Sequence, residues 1–374
     1  MAQTKNYVER EGKIYARITY RDSNNKRRQI WRRADSKTDA REKAFKLEQD
    51  LDTFGTESFE HELTLAEYLD RWLQTAKQTI SERTHHDYTN LLKLYVRPLL
   101  GSMRLTKVRP LDVQAVVNTM GDQKLSPKTI RYALMVLSRA FKQAVRWNLA
   151  TSNPASCVEL PKYVRPEMQA LSPEQAKVFL KKAAKDEHGL LFELALVSGM
   201  RPQEYLGLQW SDVDFAAGTV MVRRSLVRRV KGGGWFFGEP KTPKSRRTIP
   251  LPLYLVRKLQ THRRKQGEWK LKRGTKYQNN DLVFATPKGT PLSMRNLERR
   301  HFKLLLQNGS LPDIRLYDLR HTCATLLLAA GENPKVVSER LGHASIVLTM
   351  DTYSHVLPTM QKSATDKLTA LLRG

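Results

Sequence analysis

Cysteine is scarce in this chain. Cys157 and Cys323 are the only two, far apart and outside any metal-binding or redox spacing, so a disulfide framework and a clustered-thiol metal site are excluded. Two free thiols in a reducing cytosol are expected. Long apolar runs are missing too, since nothing approaches the roughly 18 consecutive apolar residues of a membrane-spanning helix. Met1-Ala2-Gln3-Thr4-Lys5-Asn6 leads into polar sequence rather than the apolar core of a signal peptide. There is no P-loop, acidic metal cluster, internal repeat or low-complexity segment, so neither ATP nor a metal is expected as a cofactor.

Acidic residues are few relative to basic ones. Thirty-seven Asp and Glu face 65 Lys and Arg, a formal charge of +28 on 374 residues. An excess of that size repels itself, and its usual counterpart is a polyanion. An acidic membrane would call for a basic amphipathic terminal helix or a lipidation motif, and neither is present. Charge alone leaves ribosomal, RNA-binding and DNA-binding proteins open.

The chain is long enough for two or three domains. The expected architecture is multidomain and mainly α with small β-sheets: a small sheet plus helix over 1–58, a helical bundle over 62–160, a linker at 161–168 and a mixed α+β domain over 169–374. In the first region Ile14, Ala16, Ile18 and Tyr20 alternate with polar neighbours, the pattern of a half-buried strand. Asp22 to Asn25 has turn chemistry, Lys26 to Trp31 reads as the returning strand, and Ser36 can cap a helix bearing Ala40, Ala44, Leu47 and Leu51. Residues 1–33 hold ten Lys or Arg against three acids, which predicts a basic sheet surface.

The second region reads as four helices. Thr64 and Glu67 form a capping box ahead of Leu65, Tyr68, Leu69 and Trp72. A helix from Ser81 to Val96 should stop at Pro98 and Gly101. A third follows Pro110 with Leu111, Val113, Val116 and Val117 as its apolar stripe. The fourth opens at Ser126-Pro127 and carries Ile130, Leu134, Leu137, Ala140, Phe141 and Val145. In the third region Ser172-Pro173-Glu174 starts a helix and Leu190 to Val197 is a buried one. Thr219 to Val230 and Arg246 to Leu251 read as strands bracketing Gly232-Gly233-Gly234, with helices again after about residue 292.

Four segments of this last region offer groups that phosphodiester chemistry needs. Arg201, in Ser198-Gly199-Met200-Arg201-Pro202-Gln203-Glu204, lies at a junction between helices; its planar fork can hold two phosphate oxygens, or pair with an acid such as Glu204. Nine Lys or Arg and one acid, Glu239, lie from Arg223 to Arg247 in a predicted hairpin that can track a DNA backbone. In Leu316-Tyr317-Asp318-Leu319-Arg320-His321-Thr322, Tyr317 and Arg320 share a helix face, with Leu316, Leu319, Cys323 and Leu326 turned to the core. Beside Arg320, His321 reads as a buried structural histidine. The fourth segment joins Leu341-Gly342-His343 to Tyr353 ten residues later.

In this order and in the last half of the chain, the four segments resemble the tyrosine recombinase (phage integrase) family, of the three-domain integrase type. The resemblance extends over the whole chain. The basic N-terminal sheet is similar to the integrases' arm-binding domain, and 62–160 to their core-binding domain. It implies that Tyr353 attacks the scissile phosphate to give a 3′-phosphotyrosyl ester, with Arg201, Arg320 and His343 on the phosphate oxygens. Lys241 would protonate the leaving 5′ oxygen, with Lys244 as the alternative register. Arg17, Arg27, Arg28, Arg131, Arg139, Lys244 and Arg246 are the expected DNA contacts. The implied partners are double-stranded attachment-site DNA, three further copies in a homotetramer, and a directionality factor or host bending protein, in a bacterial cytoplasm with no membrane attachment.

One position departs from the family. Tyr317 stands where a histidine is usual, and a neutral phenol does not accept a proton near pH 7 as imidazole does. Another group must then take the Tyr353 proton, or the enzyme works with one helper fewer. A DNA-binding protein of the same fold with impaired catalysis, and a type IB topoisomerase, are the competing readings.

Overall fold

In the computed structural model the described residues are 7–21, 25–54, 63–164, 168–230, 232–239, 245–353, 365–366 and 368–373. The chain divides into two compact units, Met1–Arg165 and Pro166–Gly374. Among the described residues no helix is long and apolar enough to cross a membrane.

The first unit opens with an antiparallel sheet of β1 (Tyr7–Arg10), β2 (Lys13–Arg21) and β3 (Arg27–Ala34), β2 in the middle. Alternation along β2 buries Ala16, Ile18 and Tyr20 on one face. Helix α1 (Lys37–Phe54) packs Ala40, Ala44 and Leu47 into that core, and the Ser36 hydroxyl accepts the Asp39 N–H at 3.0 Å. β1 was not expected, because four residues are too few to show a period.

A second core lies among the helices α2 (Leu65–Ala76), α3 (Glu82–Leu91), α4 (Arg97–Leu100), α5 (Pro110–Asp122) and α6 (Pro127–Arg146). The Thr64–Glu67 capping box is present, and Ser81 and Ser126 cap α3 and α6. The helix stops at Gly101, as expected, but not at Pro98. A π turn, Leu92–Val96, precedes it, and the helix continues to Leu100. Widening the turn ahead of a proline accommodates its ring and its missing N–H, which a regular α turn cannot do without breaking. Leu111, placed on the apolar stripe of α5, is 72% exposed; the buried stripe is Val113, Val116, Val117 and Met120.

The second unit is built on α7 (Pro173–Ala183) and α8 (Gly189–Ser198), with α9 (Pro202–Leu206) directly after. β4 (Val213–Asp214), β5 (Thr219–Val222) and β8 (Arg247–Pro250) form one sheet; β6 (Ser225–Arg228) and β7 (Trp235–Gly238) form a separate ribbon. The expected strand 219–230 is therefore two strands in two sheets. The glycines are bracketed by β6 and β7, whereas β8 returns to β5. Helix α10 (Leu253–Arg273), which sequence reading left out, lays Leu255, Val256 and Leu259 on the core. Then come α11 (Met294–Asn296), a π turn (Leu297–Phe302), α12 (Lys303–Asn308), α13 (Asp318–Ala329), α14 (Pro334–Leu341) and α15 (Ile346–Thr352).

Candidate active site

Two glycines determine where the arginines sit. Helix α8 ends at Gly199 and α14 at Gly342, each in the left-handed conformation (φ 65° and 66°) that glycine adopts without strain. A Cβ on Gly199 would also lie 2.8 Å from a Leu341 methyl group. Each turn exposes a carbonyl that receives a guanidinium: Arg320 Nη1 donates to Gly199 O at 2.8 Å, and Arg201 Nη2 to Gly342 O at 3.2 Å. The Ser-Gly-Met-Arg and Leu-Gly-His segments thus meet through their glycines.

Arg320 enters from the first turn of α13 and is 1% exposed. Its Nε and Nη2 groups are buried and have no hydrogen-bond partner among the described residues. Burial, then the nearby Arg201 charge, brings its pKa down to about 10, so it remains a cation at neutral pH. A buried donor left unpaired costs about 1–3 kcal/mol, more when charged. An anion accepting both N–H groups would remove that cost.

Arg201 is held by Glu204, which accepts from its Nη1 at 2.7 Å and its backbone N–H at 2.9 Å. Glu204 is itself buried and accepts Arg247 Nη2 at 2.8 Å. Burial alone would raise the Glu204 pKa, but the hydrogen bonds and charge of Arg247, followed by those of Arg201, keep it below the ordinary carboxylate value. Arg247 donates on to Arg340 O at 2.6 Å. One carboxylate therefore orients two arginines, and the cluster stays net positive. Sequence reading singled out neither the second pairing nor Arg247.

Tyr353, at the end of α15, packs among Ala324, Leu328, Val337 and Leu341 and is 1% exposed. Its hydroxyl is 2.7 Å from His321 Nδ1. Burial raises the phenol pKa, and the Arg320 charge only partly offsets the rise. The histidine read as structural is thus the group bonded to the tyrosine. The Tyr317 ring lies 5.3 Å from that of His321, which lies 5.8 Å from that of Tyr353. Tyr317 itself is 39% exposed and precedes α13, whereas Arg320 and His321 are buried one turn later.

His343 follows Gly342 and is hydrogen-bonded through Nδ1 to the Thr349 hydroxyl at 2.7 Å. Burial first, then Arg320 and Arg201, push its pKa down to about 3, so the ring is neutral at pH 7. If Thr349 donates to Nδ1, the ring hydrogen is on Nε2 and available to an oxygen.

The other expected residues fall elsewhere. Lys241 and Lys244 lie outside the described residues. Arg246 is exposed and pairs with Glu239 at 3.4 Å; Arg223, Arg246 and Arg247 line a cleft of about 450 Å³. In the first unit, the β2–β3 register places Arg17 and Arg27 on the sheet face that carries Trp31, and Arg28 on the opposite face beside Tyr20. Arg131 donates to Pro161 O at 3.1 Å, and Arg139 to the Tyr88 hydroxyl at 3.1 Å, over whose ring it lies.

Residues 169–360 match the phage integrase family, and residues 64–121 match the phage integrase N-terminal SAM-like domain. The chain is 31% identical to a XerC-like tyrosine recombinase of Caldanaerobacter subterraneus subsp. tengcongensis, across 99% of this chain and 100% of that protein. The chain belongs to the phage integrase family. This recombinase is also 32% identical to the ICEBs1 integrase of Bacillus subtilis, over 66% of this chain and 67% of that one. Its fold is similar to that of the Tn1549 transposon integrase solved with transposon right-end DNA (TM-score 0.69, 23% identity, 82% of this chain and 99% of that one). A lambda integrase dimer bound to a core site is also similar (TM-score 0.58, 20% identity, 94% of this chain and 95% of that one). As a tyrosine recombinase, it is an enzyme of DNA breakage and rejoining, and its fold is mainly helical with small antiparallel sheets.

Proposed function

We propose that Tyr353 is the nucleophile of this recombinase and that the two unpaired donors of Arg320 are the seat of the scissile phosphate. The observation that carries this reading is a buried cation with free N–H groups beside a second arginine and a neutral histidine. Attack by the Tyr353 oxygen on phosphorus releases a 5′-hydroxyl and leaves a 3′-phosphotyrosyl ester. Arg320 and Arg201 hold the non-bridging oxygens as negative charge grows on them, and His343 donates to one from Nε2. The aryl ester keeps the bond energy, so a second 5′-hydroxyl reverses the step on another strand without ATP.

The Tyr353 proton passes to His321 Nδ1, to which the phenol is already bonded. That supplies a proton acceptor in a chain with Tyr317 where the family usually has histidine. Tyr317 contributes a hydrogen bond only. Lys241 gives its proton to the leaving 5′ oxygen, with Lys244 as the alternative.

The sheet and α1 (1–58) serve as the arm-type DNA-binding domain, 62–160 as the core-type one and 169–374 as the catalytic domain. Arg17 and Arg27, sharing one sheet face, are the better placed arm contacts, with Arg28 at the edge and Arg246 on the hairpin. Arg131 and Arg139 reach DNA only with the donors their internal partners leave over. Four copies assemble on two attachment sites, aided by a directionality factor or a bending protein, in a bacterial cytoplasm. Leu368, Leu371 and Leu372 are exposed, which favours docking of the tail on a neighbouring copy.

The test uses DNA from the borders of the encoding element, nicked beside the cleavage site and incubated with protein in EDTA. A covalent protein–DNA band on a denaturing gel, absent in Tyr353→Phe, is expected. Tyr317→Phe should slow its formation and His321→Gln should slow it more. Bound DNA without a band, at a verified site, would overturn the reading.

A further inference from the structure

One compact group of side chains in the second unit is unused by the reaction. Glu187, His188 and His301 each bring a ligand atom to within 4.8 Å of the other two. Glu187 Oε1 lies 4.0 Å from His188 Nε2 and 3.8 Å from His301 Nε2. The two imidazoles meet edge to face, centroids 4.5 Å apart. Behind them, Asp186 Oδ2 is 3.0 Å from His301 Nδ1, while its Oδ1 accepts the His188 backbone N–H at 2.8 Å. A carboxylate at Nδ1 keeps the ring hydrogen there and turns the Nε2 lone pair toward Glu187 and His188. This is the outer-shell arrangement that orients metal-binding histidines.

The backbone gives an independent indication. His301 lies in the π turn Leu297–Phe302, and such turns concentrate at functional sites. Phe302 drives into the core against Phe179 and Phe192, with ring centroids 5.6 and 5.8 Å away. His301, next to it, remains partly accessible at the rim.

We propose that Glu187, His188 and His301 form a binding site for a divalent transition-metal ion, Zn²⁺ foremost, with a fourth position open to water. Two imidazoles and a carboxylate suit Zn²⁺, whereas Mg²⁺ and Ca²⁺ want more oxygens than this group offers. Bonds of about 2.0–2.1 Å at the tetrahedral angle put ligand atoms about 3.4 Å apart, so the two edges from Glu187 to the histidines close with a shift of about half an ångström. Glu187, largely exposed, is free to make it. Glu187 and Asp186 balance the ion's charge, offsetting the repulsion a cation meets at the start of α8.

The ion would tie the turn before α8 to the π turn, two segments distant in sequence. Helix α8 is about 15 Å long. His188 precedes its first residue and Gly199, which holds Arg320, follows its last. The ion therefore acts on the rigidity of the unit, and the chemistry at Tyr353 proceeds without it. No local spacing announces this site, because its two histidines come from different segments.

The test takes untagged full-length protein, stripped with a chelator and dialysed. Calorimetric titration with Zn²⁺ should show one ion per chain, and Co²⁺ should give a visible band of four-coordinate type. With free Zn²⁺ a hundredfold above Kd, the melting transition of the second unit should rise by about 5–10 °C. His188→Gln and His301→Gln should abolish saturable binding, and Asp186→Asn should weaken it by about 10–100-fold. Glu187→Gln, on an exposed side chain, keeps the fold and should weaken binding at least about tenfold. Its covalent DNA band in EDTA should form at the wild-type rate. Absence of saturable binding, or the same affinity in Glu187→Gln as in wild type, would overturn the site whatever the fate of the Tyr353 assignment.

Discussion

The two units treat arginine differently. In the first, Arg97 pairs with Asp70, Arg139 lies over Tyr88 and bonds its hydroxyl, and Arg131 caps a carbonyl. Each of these side chains has a partner within its own unit. In the second, Arg320 is sealed from water with two donors unmatched, and Arg201, Arg247 and Glu204 crowd around it. The first arrangement is what folding alone selects. The second lowers stability, and such violations are expected where a fold serves a ligand. The contrast separates arginines that hold the structure from one, Arg320, whose donors the fold leaves unmatched.

The largest effect should come from Arg320→Met. Removing a fixed cation aimed at developing charge slows cleavage by about 10²–10³-fold. Replacing a buried, half-satisfied charge with an apolar chain leaves stability unchanged or raises it. Single-turnover cleavage and a denaturant melt on the same sample read both, and a variant that loses activity by unfolding would break the contrast. Glu204→Gln comes next. It leaves two guanidinium groups without their shared anion and should cost about 3 kcal/mol, seen as a lower denaturation midpoint.

A smaller effect concerns pH. The folded-state pKa of His343, about 3, lies below the unfolded value, so the unfolded chain binds the proton first. Its contribution to stability is therefore intact above about pH 6.5 and declines as pH falls from there. His343→Gln should flatten the melting-temperature slope between about pH 6.5 and 5. His188 and His262 shift the same way and keep part of it. An unchanged slope would show that His343 is not held neutral. The smallest effect is on the other side of the comparison: Arg139→Met should cost about 1 kcal/mol and leave the cleavage rate of bound substrate as it was.

What could be read from sequence was mostly what is local. Thr64, Ser81, Ser126 and Ser172 announce their helices because a cap and its N–H partner lie within three residues. Ile14 to Tyr20 announces a strand for the same kind of reason. Pairing is not local: nothing in 219–230 says that its two halves join different sheets. Pro98 misled because a proline breaks a helix only if the preceding turn stays α. The segments of Arg201, Arg320, His343 and Tyr353 stood out by resemblance to a family, but Glu204 and Arg247 had no such marker. His321 was passed over because its partner is 32 residues away. The only hint was indirect, a missing histidine at 317 that something else had to replace.

The sheathing of Tyr353 has a consequence for the cell that encodes the chain. A protein with a formal charge of +28 clings to any DNA it meets, and nearly all of that DNA is the wrong sequence. A phenol 1% exposed, tethered to His321 and packed in leucine and valine, touches none of it. If Tyr353 is the nucleophile proposed above, the chain passes over wrong-sequence DNA without cutting it.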